Sequence, residues 1–140
     1  MILEHFRQKM LWMPLTLLRV STGIIMTAHG FGKLTNIAQT AAAFGNMGIP
    51  YPEISVYFAI AGEFFGGLGL IAGFLTPIAA MGVFCVMVTA IVSVHLPYGL
   101  MAQNNGFEYP LTLLLISLFF IVKGAGPVSI DNLITKLKSR

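Results

Sequence analysis

Four long apolar segments, separated by stretches rich in glycine, proline and polar residues, constrain the fold of this 140-residue chain more than any other feature. They cover about residues 11–31, 54–74, 77–96 and 108–123. About 20 helical residues cross a bilayer core of about 30 Å. The last segment is short, but Tyr109 can anchor it at one interface and Lys123 can snorkel at the other. The pattern predicts an all-α membrane protein, a bundle of four transmembrane helices forming a single domain over residues 1–140.

The composition agrees with a chain solvated mainly by lipid. Only 9% of the residues are charged and 56% are hydrophobic, whereas a soluble domain is about 25% charged. The net charge of +3 comes from basic residues near the chain ends. Because no basic face is formed, we expect no nucleic-acid partner.

The N-terminal region and the single cysteine exclude two further classes. Glu4, Arg7 and Lys9 precede the first apolar run, and no small-x-small cleavage site follows it, so we interpret the run as a retained first span rather than a signal peptide. Cys85 has no second cysteine for a disulfide or for thiol exchange. It is expected to pack as a small hydrophobe.

Two short helices are predicted outside the spans. Thr35 or Asn36 can cap the first, which is too short to cross a membrane and is interpreted as interfacial. Pro50 and Pro52 prevent its continuation. The second is an amphipathic helix over residues 130–140, with Ser129 as its cap.

The basic residues predict an orientation. An even number of spans places both termini on one side, and that side carries six basic residues, while the opposite side carries only Lys33. The positive-inside rule then makes both termini cytoplasmic. Three spans, with the last apolar segment lying flat, are the alternative. The six residues are Arg7, Lys9, Lys123, Lys136, Lys138 and Arg140.

Glycines and two charges predict contacts inside the bundle. Four glycines of the second span share one face, which permits close helix packing within the chain or between copies of a homo-oligomer. Arg19 and Glu63 fall at similar depths, each roughly 10 to 13 Å from an end of its span at 1.5 Å per residue. We therefore predict an Arg19–Glu63 ion pair that fixes helix register or serves function. The glycines are Gly62, Gly66, Gly69 and Gly73.

Four ionisable residues form the predicted catalytic set at the outer side of the bundle: His29, Glu63, His95 and Glu108. They could relay protons to a bound quinol, with histidine accepting and glutamate passing the proton inward. The same four could bind a transition metal, although no HExxH motif is present. Interfacial residues that bond to loops and water are the third interpretation.

A second set is predicted to bind a ligand: Arg19, Lys33, Phe64, Phe107 and Tyr109. Lys33 follows His29 by four residues and could reach headgroups or neutralise Glu108. The aromatic residues, together with Phe65, could enclose a quinone ring or could face lipid and core.

The sequence resembles the DoxX family of small membrane proteins over nearly its whole length. The resemblance implies four transmembrane helices in the bacterial plasma (inner) membrane. It also implies a link to quinol oxidation, thiosulfate:quinone oxidoreduction or redox-stress enzymes, and a role for Arg19, His29, Glu63, His95 and Glu108. The segments that carry it are LLRVSTGIIMTAHGFGKL (17–34), FGNMGIPYP (44–52), GEFFGGLGLIAGFLTPIAA (62–80), NNGFEYPLTLLL (104–115) and GAGPVSID (124–131).

Three functions remain open. The first is a subunit of a quinone-linked oxidoreductase that binds a quinone or quinol and works with a redox-enzyme partner. The second is a membrane scaffold or assembly partner with no chemistry of its own. The third is a small transporter or metal-binding protein that uses the same polar residues.

Overall fold

The computed structural model describes residues 10–139, and every regular element in this range is helical. The basic residues Arg7, Lys9 and Arg140, which contribute to the predicted orientation, lie outside it. The helices begin and end close to the limits expected from the sequence. They are α1 (Trp12–Thr35), α2 (Ile37–Asn46), α3 (Pro52–Ala72), α4 (Thr76–Tyr98), α5 (Glu108–Lys123) and α6 (Ile130–Lys138).

Helices α3 and α4 are long and apolar enough to cross a membrane. Only 17% of the most apolar stretch of α4 is buried inside the described structure. Helix α4 is therefore unlike the core helix of a soluble protein, since most of its apolar surface is left for another medium or partner to cover.

Helix α3 lies in backbone contact with a neighbour on each side. A Cβ atom added to Gly23 of α1 would lie 2.7 Å from the carbonyl oxygen of Gly67 in α3. One added to Gly62 of α3 would lie 2.7 Å from the carbonyl oxygen of Gly82 in α4. The glycines of α3 thus serve packing within this chain, because no side chain could fit between these backbones.

The core joins four helices. Met26 from α1, Leu70 from α3 and Phe120 from α5 meet buried residues of α4, and Leu70 and Phe120 are fully buried. The contributors from α4 are Ala80, Val83 and Met87. These contacts make α1, α3, α4 and α5 one packed unit, with α2 beside α3.

Two stretches of π-helix interrupt the long helices. Ala61–Phe65 lies in the middle of α3 and Ile91–His95 lies near the end of α4. A π-helix is rare, and short insertions of it are frequent at functional sites. Glu63 falls in the first segment and His95 in the second.

The C-terminal segment is tied to the turn between α3 and α4. Both carboxylate oxygens of Asp131 accept hydrogen bonds from the backbone nitrogens of Leu75 (2.8 Å) and Thr76 (3.0 Å), where α4 begins. The backbone nitrogen of Asp131 in turn donates to Gly73 O at 2.9 Å. Ser129 accepts from the backbone nitrogen of Asn132, which confirms the predicted cap of α6. Asp131 therefore caps α4 from a position 55 residues along the chain.

Candidate functional site

The buried carboxylate of Glu63 pairs with Lys33, and the predicted Arg19–Glu63 ion pair is wrong. Lys33 Nζ lies 2.5 Å from Glu63 Oε2. The reason is the packing register of α1 against α3. Gly30 of α1 lies directly against the backbone of Phe64 in α3. Lys33, one turn beyond Gly30, reaches back to Glu63 because helical side chains tilt toward the N-terminus of their helix.

Arg19 lies near the other end of α1 and binds backbone carbonyls instead. Its guanidinium donates to Leu70 O, to Ile71 O at 3.1 Å and to Val128 O at 2.7 Å. The carbonyls at the end of α3 have no partner within their own helix. Arg19, which is 1% exposed, therefore joins α1, the end of α3 and the C-terminal segment. It lies about 21 Å along α1 from Lys33, since 14 residues separate them.

The neutralisation of Glu108 by Lys33, one of the two contacts expected from the sequence, is wrong. Lys33 neutralises Glu63, not Glu108. Glu108 Oε1 accepts a hydrogen bond at 2.8 Å from the backbone nitrogen of Ala102 and so fastens the loop before α5. Glu63 is almost fully buried while Lys33 stays partly exposed, so the lysine forms the accessible side of the pair.

A long groove follows α3 and α4, and its volume is about 1260 Å³. Apolar side chains such as Phe44, Phe58 and Phe65 form much of its wall. Three residues of the predicted sets line it together, namely Lys33, Glu63 and His95. The other polar or thiol-bearing residues in the wall are Ser55, Cys85, Thr89 and Ser93.

The hydrogen bond of His95 fixes which ring nitrogen carries a proton. His95 Nδ1 lies 2.7 Å from the carbonyl oxygen of Asn105. A carbonyl oxygen can only accept, so Nδ1 is the donor. In the neutral ring Nε2 then carries a free lone pair and can accept a proton.

Sequence reasoning did not identify the stripe of small side chains on α4. Cys85, Thr89 and Ser93 line the groove, and they recur every four residues, so they share one helix face. Thr89 Oγ1 donates to Cys85 O at 3.0 Å. The spacing of four is visible in the sequence and is the signal that could have found them.

The remaining predicted residues lie outside the groove. His29 is exposed, with its ring centre 6.3 Å from that of Tyr109. The ring of Phe64 packs edge-on against the ring of Phe65, which lines the groove, with their centres 5.2 Å apart. Phe107 directly precedes α5 and, like Glu108, is absent from the groove wall.

The four residues predicted as metal ligands are not gathered. Within residues 10–139, no group of three or more His, Cys, Asp or Glu side chains lies close enough to hold a metal ion. Glu63 and His95 line the groove, whereas His29 contacts Tyr109 and Glu108 binds the loop before α5.

Comparison of the sequence with known proteins identifies its family. The DoxX family model matches residues 14–96, a range that includes Arg19, Lys33, Glu63 and His95. A Bacillus subtilis (strain 168) protein named "Putative oxidoreductase CatD" is 33% identical over 122 residues, 87% of each chain. A Haemophilus influenzae (strain ATCC 51907 / DSM 11121 / KW20 / Rd) protein named "Uncharacterized protein" is 32% identical over 85 residues, 61% of this chain and 56% of its own length.

No solved structure matches the chain. The family match covers more than half of the sequence, and the Bacillus relative aligns over most of both chains. The chain belongs to the DoxX family.

Proposed function

We propose that this protein is a four-span protein of the bacterial plasma membrane that binds a quinone or quinol in the α3–α4 groove, as the membrane subunit of a quinone-linked oxidoreductase. The observation that supports it most is the groove itself, in which the Lys33–Glu63 pair and His95 lie in a mostly apolar wall. Both Glu63 and His95 lie in π-helical segments, the kind of local distortion that is frequent at functional sites.

The chemistry of the groove suits a quinone. Apolar walls with a few placed polar groups are typical of small-molecule sites, and an isoprenoid quinone combines an apolar tail with two ring oxygens. When bound, a quinone supplies two-electron, two-proton chemistry. Phe44, Phe58 and Phe65 offer the apolar contact.

Lys33, His95 and Glu63 are proposed to have different roles toward the bound ring. Lys33 Nζ donates hydrogen bonds and can bind a ring oxygen while remaining close to Glu63. His95 Nε2 accepts a proton from a ring hydroxyl, since Nδ1 is occupied by Asn105 O. Glu63 accepts a hydrogen bond from Lys33 and so fixes the position of its amino group in the wall of the groove.

The two electrons that leave a quinol when its ring hydroxyls give up their protons are proposed to pass to a partner subunit. The Bacillus relative is an oxidoreductase by name, and Cys85 is the only cysteine of this chain, so a dithiol couple within the chain is not available. Because the most apolar stretch of α4 is only 17% buried, we propose that the partner subunit contacts this helix.

Equilibrium binding of decylubiquinone to the purified protein in lipid nanodiscs tests this proposal. We expect the Glu63→Gln/His95→Gln variant to bind at least about tenfold more weakly, which corresponds to about 1.4 kcal/mol. The matched control is His29→Gln, which changes a histidine outside the groove and should bind like the parent protein.

Folding must be separated from binding in this experiment. Removing Glu63 alone leaves Lys33 unpaired near the bilayer interior, which destabilises a protein. The Lys33→Gln/Glu63→Gln variant removes both charges, and its melting temperature should stay closer to that of the parent protein than that of Glu63→Gln. Unchanged quinone affinity in folded groove variants would contradict the proposal and favour a scaffold that co-purifies with its partner regardless of His95.

A further inference from the structure

The C-terminal helix α6 presents an apolar stripe that the rest of the described structure leaves uncovered. Ile130, Leu133 and Leu137 are 42%, 57% and 62% exposed. Together with Ile134 they recur at positions i, i+3, i+4 and i+7, which is the pattern of one helix face. The predicted amphipathic helix is thus present. Its apolar face is largely exposed, and Ile130 and Leu133 border a shallow pocket beside α1 and α3.

The accessible surface of α6 carries only positive charges. Lys136 and Lys138 lie exposed in the last turn. The one acidic residue of α6, Asp131, binds the backbone nitrogens at the start of α4. The accessible surface of the helix therefore combines lysines with bare apolar side chains.

Helix α6 lies at the end of the bundle where membrane-interface residues gather. Arg19 binds Val128, just before α6, and also the end of α3. Exposed Trp12 begins α1 and exposed Lys123 ends α5 at this same end. Tryptophan and lysine are the residues that anchor spans at a membrane interface.

We infer that α6 is a surface-binding helix for anionic phospholipid, with its apolar stripe inserted at the acyl boundary and its lysines against the lipid phosphates. The inference rests on the proposed membrane location of the bundle. A short basic amphipathic helix binds an interface by this combination of apolar burial and attraction to anionic lipids.

A protein partner fits this surface less well than lipid. Nine residues of helix extend about 13.5 Å, which leaves one apolar stripe too small for a stable protein interface of about 1,000 Å² or more. A second copy of the chain would also place Lys136 and Lys138 against positive charge, whereas an anionic leaflet offers the complementary charge continuously.

Binding of α6 to the leaflet is coupled to the helix that lines the groove. Asp131 is the first-turn residue of α6 and at the same time the cap of α4. An α6 held on the membrane keeps this carboxylate at the start of α4. Negative charge in the leaflet therefore stabilises the α3–α4 turn.

The test compares amide hydrogen exchange of residues 131–139 in the full-length protein, in nanodiscs of phosphatidylcholine alone and with phosphatidylglycerol added. At about fivefold per lysine, we expect exchange to slow by about 25-fold when the anionic lipid is present. Lys136→Gln/Lys138→Gln should remove that difference, and so should high salt. Lys123→Gln, at the end of α5, is the matched control and should keep it.

Equal exchange in the two lipid mixtures would overturn the inference, and so would protection that rises with protein concentration, which indicates a second copy instead. Flotation with vesicles tests separately whether the protein is bound to the membrane at all, as the four-span proposal requires. The parent protein and all lysine variants should float with either lipid, and a chain that does not float contradicts the four-span proposal itself.

Discussion

Arg19 illustrates how a buried charge can be explained by structure. Its guanidinium is satisfied by carbonyl groups of α3 and of the C-terminal segment and lies about 21 Å along α1 from Lys33. The negative end of the α3 helix dipole and the nearby Asp131 offset its charge. We therefore assign Arg19 to the assembly of the bundle, and the groove residues Lys33, Glu63 and His95 to function.

Replacing Arg19 with lysine should destabilise the protein while leaving quinone affinity unchanged. Lysine cannot reproduce the planar fork that reaches Ile71 O and Val128 O together. Losing one hydrogen bond from a charged group costs about 1.5–3 kcal/mol, and the melting temperature in detergent should fall accordingly. Lys123→Ala, at an exposed site, should melt with the parent protein; an Arg19→Lys variant that does the same would show that the carbonyl contacts contribute little.

At the scale of helices, glycine contacts decide which residues meet. Helix α1 approaches α3 through Gly23 and Gly67, and α3 approaches α4 through Gly62 and Gly82. The resulting register places Lys33 beside Glu63. The Lys33–Glu63 pair is thus a consequence of backbone packing about one turn away, including that of Gly30 against Phe64.

A single methyl group should disturb this register at one glycine and not at another of the same helix. Gly23→Ala places Cβ 2.7 Å from Gly67 O, which forces α1 and α3 apart. Overpacking of this kind costs about 1–3 kcal/mol, measured as a lower melting temperature. Gly32→Ala has no neighbour within 4 Å of the added Cβ and should be neutral or stabilising by up to about 1 kcal/mol.

The same contacts explain what sequence reasoning could and could not predict. Apolar runs, Pro52 and the Ser129 cap are local signals, so helices and their approximate limits follow from the sequence. The partner of Glu63 is not local. The depth of a residue, counted from the end of its span, does not include the shift between α1 and α3 that the Gly23–Gly67 contact sets. Depth alone therefore suggested Arg19 as the partner of Glu63. The π-helical segments at Glu63 and His95 carry no residue pattern that distinguishes them from α-helix.

For the whole molecule, the distribution of charges argues for one orientation. The end of the bundle that holds α6 carries Lys123, Lys136 and Lys138, and the opposite end carries Lys33, which is paired with Glu63. For the proposed four spans, we expect this asymmetry to put the α6 end in the cytoplasm. The proposed groove residues Glu63 and His95 would then lie in the half of the membrane away from the cytoplasm.

Reporter fusions check this orientation. Alkaline phosphatase joined after Asn104, in the exposed loop before α5, should be active, whereas the same enzyme joined after Lys138 should be inactive. A fluorescent protein that folds only in the cytoplasm should give the reverse result. Three spans with α5 lying flat would instead place both fusion points on one side, and the two reporters would then agree at the two sites.

The links made by Val128 and Asp131 set an order of events during synthesis. Arg19 emerges early, yet one of its hydrogen-bond acceptors is 109 residues further along the chain. The cap of α4 likewise arrives only with Asp131. The nascent protein can insert its helices one by one, but these contacts cannot form until residues 128–131 have been synthesised. A copy truncated before Val128 therefore leaves Arg19 and the end of α3 without these partners, a difference that quality-control proteins can recognise.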